Sequence, residues 1–312
     1  MVSAVIFVAT SCVSPLTGFA FWETNLAYEG ESIYNYLQVK NLSDRTILST
    51  NVLFGVQSVT MKDKGLTGMY YDTALAAPAL ADNANSALIL GMGTGTYARQ
   101  LKQYYPKMNI TGVEIDQKIT DLAGEYFDEP ADIPVTTYDG RAWLAASHDK
   151  YDVIMVDAYQ DITIPFQMSS TEFFTMVREH LNPGGVMVVN MNMISDGQGS
   201  INEALSDTIA SVFGNGNTLT ADVPNTTNRE LFAKKPGSGS EENSMQQASK
   251  ALNLRETTYE RTGSEDLEWY MEEVASRFRK VNEPDSASTI LTDDKAPVEG
   301  TRHACHRSNH RR

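Results

Sequence analysis

The stretch that most constrains this chain runs from residue 87 to residue 190, where short apolar runs alternate with amphipathic ones around a glycine-rich loop. Ala87-Leu-Ile-Leu90 reads as a buried strand and leads directly into Gly91-Met-Gly-Thr-Gly95. A helix over residues 97–105 follows, stopped by Pro106. The same alternation then repeats. Strands are predicted at 109–115, 134–138, 151–156 and 186–190, and helices at 117–127, 141–147 and 171–181, the last closed by the turn Asn182-Pro-Gly-Gly185. A further helix at 201–213 and a strand at 230–233 extend the series. Strands alternating with helices demand an α/β fold, with a mostly parallel sheet covered on both faces.

The rest of the chain divides around this block. Residues 1–22 contain no charged side chain and form an apolar N-terminal segment. They have the length of a membrane span, but serines, threonines, Pro15 and Gly18 dilute them. The segment therefore reads as a membrane anchor or, alternatively, as a buried terminal segment. Residues 23–80 read as a small antiparallel β domain followed by a first helix at 70–81, because Tyr34, Tyr36, Val39, Ile47, Leu48, Val52, Phe54 and Val56 fall into short runs between turn-formers. The α/β domain spans 81–235. Residues 236–264, rich in Ser, Gly, Glu and Gln, read as a flexible linker. A helix with Leu267, Met271 and Val274 at helical spacing opens the closing segment 265–299, and 300–312 reads as a disordered tail.

Composition narrows the function. With 40 acidic against 25 basic side chains, the net charge is −15, which disfavours a nucleic-acid backbone as partner and suits a cationic small molecule. Only two cysteines occur, Cys12 and Cys305, so a disulfide framework is not expected and a reducing cytoplasmic setting is the default. No spacing of His, Cys, Asp or Glu reads as a metal site.

The chemistry-bearing residues cluster at strand ends. Gly91, Gly93 and Gly95 let a ligand approach the backbone between a strand and a helix, as in many nucleotide-binding loops. Glu114 and Asp116 end the second strand, about 20 residues further on, where an acid can hold ribose hydroxyls. Asp139 and Gly140 follow the third strand, Asp157 ends the fourth, and Asp161 lies close behind. Acids converging on one crevice fit positively charged reactants, a sulfonium nucleotide and an amine.

Taken together, these residues resemble the spermidine synthase family of polyamine aminopropyltransferases. The resemblance is carried by Glu31-Ser-Ile-Tyr-Asn-Tyr-Leu-Gln-Val39, Gln57 after Phe54-Gly-Val, Tyr70-Tyr71-Asp72, the glycine loop, Val113-Glu-Ile-Asp116, Asp139-Gly-Arg141 and Asp152-Val-Ile-Met-Val-Asp157. The late Leu291-Thr-Asp-Asp-Lys-Ala-Pro-Val-Glu299 is similar to the bacterial branch in which such a domain follows a membrane region. The resemblance implies a Rossmann-like sheet of the class I methyltransferase type. It also implies transfer of an aminopropyl group from decarboxylated S-adenosylmethionine, a co-substrate rather than a prosthetic group, to a diamine such as putrescine. Glu114 would then hold the ribose, Asp139 the adenine amino group, and Gln57 would line the nucleotide pocket. Asp157 would be the catalytic base, with Tyr70, Asp72, Tyr159 and Asp161 on the polyamine side. The family further implies a homodimer through the N-terminal sheet. The cysteine usage places the protein in the cytoplasm, at the inner face of the membrane if residues 1–22 insert. Thr94 stands where the family has an aspartate. This keeps two alternatives open, a methyltransferase using S-adenosylmethionine and a catalytically silent polyamine or nucleotide sensor.

Overall fold

The computed structural model describes residues 23–51, 55–63, 65–158, 164–192, 199–237 and 244–295. Residues 1–22 and 300–312, with Tyr159 and Asp161, lie outside them. By internal contacts the chain divides into two units, Met1–Gly65 and Leu66–Arg312.

In the first unit, strands β1 (Leu26–Glu31), β2 (Tyr36–Asn41), β3 (Arg45–Thr50) and β4 (Ser58–Met61) form an antiparallel sheet in chain order. The turn before β2 is set by Ser32, whose hydroxyl accepts from the backbone N–H groups of Tyr34 and Asn35. β1 escapes a hydropathy reading. Leu-Ala-Tyr-Glu-Gly-Glu has no apolar alternation, and pairing with β2 is what makes it a strand.

The second unit opens on helices α1 (Tyr70–Ala74) and α2 (Ala76–Leu80). The sequence predicts one helix here, and Pro78 explains the break. Its ring has no N–H and clashes with the carbonyl four residues back, that of Ala74. The Ala74 carbonyl instead accepts a 3.1 Å hydrogen bond from the Tyr97 hydroxyl.

The α/β block follows as β5 (Ser86–Leu90), α3 (Thr96–Tyr104), β6 (Asn109–Glu114), α4 (Gln117–Tyr126), β7 (Val135–Thr137), α5 (Gly140–Ala146), β8 (Tyr151–Val156), α6 (Thr171–His180) and β9 (Leu181–Asn192). α7 (Ile201–Phe213) leads to the hairpin β10 (Thr218–Asp222) and β11 (Asn228–Lys234). Helices α8 (Ser244–Ala248), α9 (Ala251–Thr262) and α10 (Glu265–Arg277) precede the short edge strand β12 (Arg279–Lys280). One eight-stranded sheet results, in the order β12-β10-β11-β9-β8-β5-β6-β7. It is parallel from β9 to β7 and antiparallel where β11, β10 and β12 join. Every residue of β8 is buried, as a strand covered on both faces requires.

The strand order locates the site. From β5 the chain moves outward to β6 and β7, then returns to lay β8 on the other side of β5. At such a reversal the connections leave in opposite directions and open a crevice beyond the carboxyl ends of the strands. The glycine loop and Asp157 lie there. Leu88, Ile154, Val156, Phe173, Met187 and Val189 belong to one buried cluster that holds these strands rigid, each contributing roughly 1.5–3 kcal/mol.

Three segments differ from the sequence reading. Asn182-Pro-Gly-Gly185 is not a free turn but part of β9, which takes up an irregularity opposite Tyr151–Val153. Gly184 sits at φ 76°, and a side chain there would collide with the Asp82 carboxylate. Residues 236–264, read as a flexible linker, carry α8 and α9. Their few apolar anchors, Met245 and Leu254, are fully buried, and α9 packs on α2 and α10. Composition missed them because two or three well-placed anchors in a polar segment suffice for a packed helix. Finally, helical spacing through Phe278 extends the predicted helix from Glu265 to Lys280, whereas α10 stops at Arg277, and Phe278 leaves helical backbone and meets Phe232 edge-on at 5.6 Å.

The late segment closes back on the sheet. Arg141, at the start of α5, makes two hydrogen bonds of 2.7 and 2.6 Å to the carboxylate of Asp293, which also accepts from the Ser170 hydroxyl. The Leu291 N–H donates to the Thr208 hydroxyl. Among the described residues no helix is long and apolar enough to cross a membrane.

Candidate active site

The glycine loop is shaped by two neighbours. Gly91 has φ 89°, and a Cβ on it would stand 2.5 Å from the Asp157 carbonyl oxygen, so only glycine lets β5 and β8 end side by side. Gly95, at φ 76°, caps the N-terminus of α3. The loop is tied across to β6 by Glu114. Its Oε2 accepts from the Gly93 N–H at 2.8 Å and its Oε1 from the Asp116 N–H at 3.0 Å. Burial raises the Glu114 carboxyl above its ordinary range, and those backbone N–H groups pull it back down. Glu114 is thus an acceptor fixed at the carboxyl end of β6, next to the loop.

The remaining acids differ in how they are engaged. Asp116 is buried and caps α4, accepting from the Lys118 N–H at 3.0 Å. Asp139 caps α5 by accepting from the Ala142 N–H at 2.8 Å, with Gly140 as the first helical residue, and both are half-buried at the crevice edge. Asp72 is fully buried. Its oxygens accept from the Thr67 N–H and hydroxyl, the Gly68 N–H and the Gln100 amide, at 2.6 to 3.0 Å. Those bonds fold the 67–70 turn and hold α1 against α3, so Asp72 is occupied by the protein itself. Gln57 belongs to the first unit, where it is half-buried and its N–H donates to the Leu48 carbonyl at 2.9 Å.

Asp157 is the focal acid. It directly follows β8, and its N–H donates to the Leu90 carbonyl at 2.9 Å. The Tyr70 hydroxyl donates to its Oδ2 at 2.6 Å, and the Asn190 amide donates to its Oδ1 at 2.9 Å. Asn190 is held in turn by the Asn228 amide at 2.8 Å. Burial pushes the Asp157 carboxyl up to about 7. The hydrogen bonds from Tyr70 and Asn190 oppose that shift, and the negative charge of Glu114 adds to it. The Tyr70 phenol is pushed well above its usual value, by burial first and then by the charge of Asp157, so it remains a proton donor.

The structure also supplies residues that sequence reasoning missed. Asn190 and Asn228 orient Asp157, yet nothing local marks an asparagine in a strand as a partner of an aspartate 33 residues away. Glu129, beyond α4, lies against Gly95 and is pushed up to about 7 by burial and by Glu114. Glu230 is wholly buried in β11. A signal for it did exist, a lone acid inside the strand Asn-Arg-Glu-Leu-Phe-Ala-Lys. Tyr70 is joined to Asp157 by its hydroxyl and the charge of Glu114 acts on Asp157, whereas the Asp72 carboxylate is enclosed by protein donors.

Comparison with known proteins is consistent with this geometry. The spermine/spermidine synthase domain model matches residues 69–235. A polyamine aminopropyltransferase of Corynebacterium efficiens is 37% identical over 131 residues, which cover 38% of this chain and 25% of that protein. The one from Vibrio vulnificus is 28% identical over 209 residues, covering 64% of this chain and 69% of its own length. The chain thus spans only a quarter of the first of these relatives. Among solved structures, a probable spermidine synthase from Corynebacterium glutamicum superposes with a TM-score of 0.59 at 19% identity, covering 84% of this chain and 98% of that one, which speaks for the fold. With more than half its length matched by the family model, and the strand-end acids in place, the chain belongs to the spermine/spermidine synthase domain family.

Proposed function

We propose that this protein transfers an aminopropyl group from decarboxylated S-adenosylmethionine to a diamine such as putrescine. One observation carries the reading. A carboxylate with a pKa of about 7, pinned by Tyr70 and Asn190, stands at the end of β8 beside the glycine loop and Glu114. A base is most effective when its pKa lies near the working pH. In the proposed step, the nitrogen lone pair of the amine attacks the methylene carbon bonded to the sulfonium. The new C–N bond forms as the C–S bond breaks, and its electron pair returns to sulfur to give neutral methylthioadenosine. The proton lost from nitrogen passes to Asp157. Glu114 would accept from the ribose hydroxyls and Asp139 from the adenine amino group. Both acids are already oriented by backbone N–H groups, so little rearrangement is needed on binding.

The uncharged residues 1–22 and the 291–299 motif support assignment to the membrane-associated branch, which fractionation of the full chain with and without residues 1–22 tests. Pairing through the N-terminal sheet is the corresponding proposal for assembly, read by sedimentation. For the activity itself, the purified chain given putrescine and the decarboxylated donor should release methylthioadenosine. Asp157→Asn should lose that turnover at least a hundredfold while binding methylthioadenosine as the parent does. Release of S-adenosylhomocysteine from the undecarboxylated donor would instead assign a methyltransferase, and no turnover of either donor would refute an enzyme.

A further inference from the structure

Glu230 is the most anomalous group in the second unit. It is 0% exposed, and neither of its carboxylate oxygens has a hydrogen-bond partner among the described residues. In the sheet it stands directly across from Asn190, the residue whose amide holds Asp157. Helix α1, which carries Tyr70, packs over β11. Among the described residues, the titratable groups whose charge couples to it are Asp157, which follows β8, and the phenol of Tyr97 on α3. No cation of its own strand serves it. Lys234 is bonded to Asp82 and to the Leu80 carbonyl, and Arg229 to Asp222.

An ionised carboxylate in such a place is costly unless a proton or a cation neutralises it. Burial first, and then the negative charge of Asp157, push the Glu230 carboxyl well above the ordinary value. Both effects favour the neutral acid over the carboxylate. Side-chain volume alone would be met by an apolar residue, so the acid reads as a group awaiting a partner.

We propose that Glu230 is an acceptor-binding residue, the counter-charge for the ammonium of the diamine, and that with Asp157 it forms a two-carboxylate socket. Asp157 takes the nitrogen that attacks, and Glu230 takes the charge that stays. The proposal rests on the amine-transfer reading above and adds the residue that would select a diamine over a monoamine. When the ammonium arrives, the Glu230 O–H bond breaks, the carboxylate pairs with the cation, and the proton leaves to solvent.

The test is calorimetric titration of putrescine into the full chain saturated with methylthioadenosine, at pH 7 in two buffers of different ionisation heat, for the parent and Glu230→Gln. The expected results are a loss of at least tenfold in putrescine affinity for the variant, unchanged methylthioadenosine affinity, and a proton release lower by about one. Equal putrescine affinity and equal proton release in the two proteins would make Glu230 a neutral filler and overturn the proposal while leaving amine transfer intact. Absence of any proton release by the parent would overturn it without recourse to the variant. A parent that binds methylthioadenosine but no diamine would refute the amine reading itself, and this inference with it.

Discussion

Removing the Tyr70 hydroxyl gives the sharpest test of how Asp157 is tuned. The phenol donates to Oδ2 at 2.6 Å and so stabilises the ionised form, which lowers the pKa against the push of burial. In Tyr70→Phe that opposition is lost and the carboxyl must rise from about 7. A hydrogen bond to a charged group is worth about 1.5–3 kcal/mol, and a pKa unit about 1.4 kcal/mol, so the shift is roughly one to two units. At pH 7 the ionised fraction would fall from about half to between roughly a tenth and a hundredth, a loss of about 5- to 50-fold if Asp157 is the base. The assay is the pH dependence of kcat/KM for the amine at fixed donor, followed by methylthioadenosine release. The acid limb should move to higher pH by one to two units, with most of the rate regained near pH 9. An acid limb left in place, or a loss of equal size at every pH, would refute the role of this hydrogen bond in setting the base.

Two further substitutions separate structural from chemical roles. Gly91→Ala puts a Cβ 2.5 Å from the Asp157 carbonyl oxygen at a φ of 89°, and should destabilise the protein by more than about 2 kcal/mol. A thermal midpoint within a degree of the parent's would contradict that steric account. Asp72→Ala leaves four donors unanswered beneath α1. It should cost about 3 kcal/mol or more in denaturant unfolding while the KM for the amine changes less than threefold where the variant is folded. An amine KM raised tenfold with stability intact would return Asp72 to the substrate.

Much of this architecture could be read from local pattern. The strands Ser86–Leu90 and Tyr151–Val156 carry the apolar runs Ala87–Leu90 and Val153–Val156, which suit a covered parallel sheet, and the glycine loop and Asp157 at their ends followed from that. What failed to appear locally was long-range or conformational. Pro78 splits α1 from α2 at a point where the alanines on both sides favour helix. β1 exists because β2 is beside it. Asp72 and Asp157 are both acids near strand or helix ends, yet one is enclosed by protein donors and the other opens on the crevice, a distinction that rests on Gln100 and Thr67 rather than on motif. Asn190 and Glu230 become partners of the site only through the antiparallel pairing of β9 with β11.

The bond between Arg141 and Asp293 has a consequence for how the protein is made. The two residues are 152 positions apart, and the arginine sits two residues beyond Asp139, the N-cap of α5. At roughly 5–20 residues per second of synthesis, the ribosome needs about 8 to 30 seconds to travel from one to the other. During that interval the start of α5 must wait without its anchor, so a nascent chain that has already assembled β5, β6 and β8 cannot yet hold that helix as the mature one does. The segment around Asp293 acts as a latch, and a chain cut before it would hold the start of α5 without that bond.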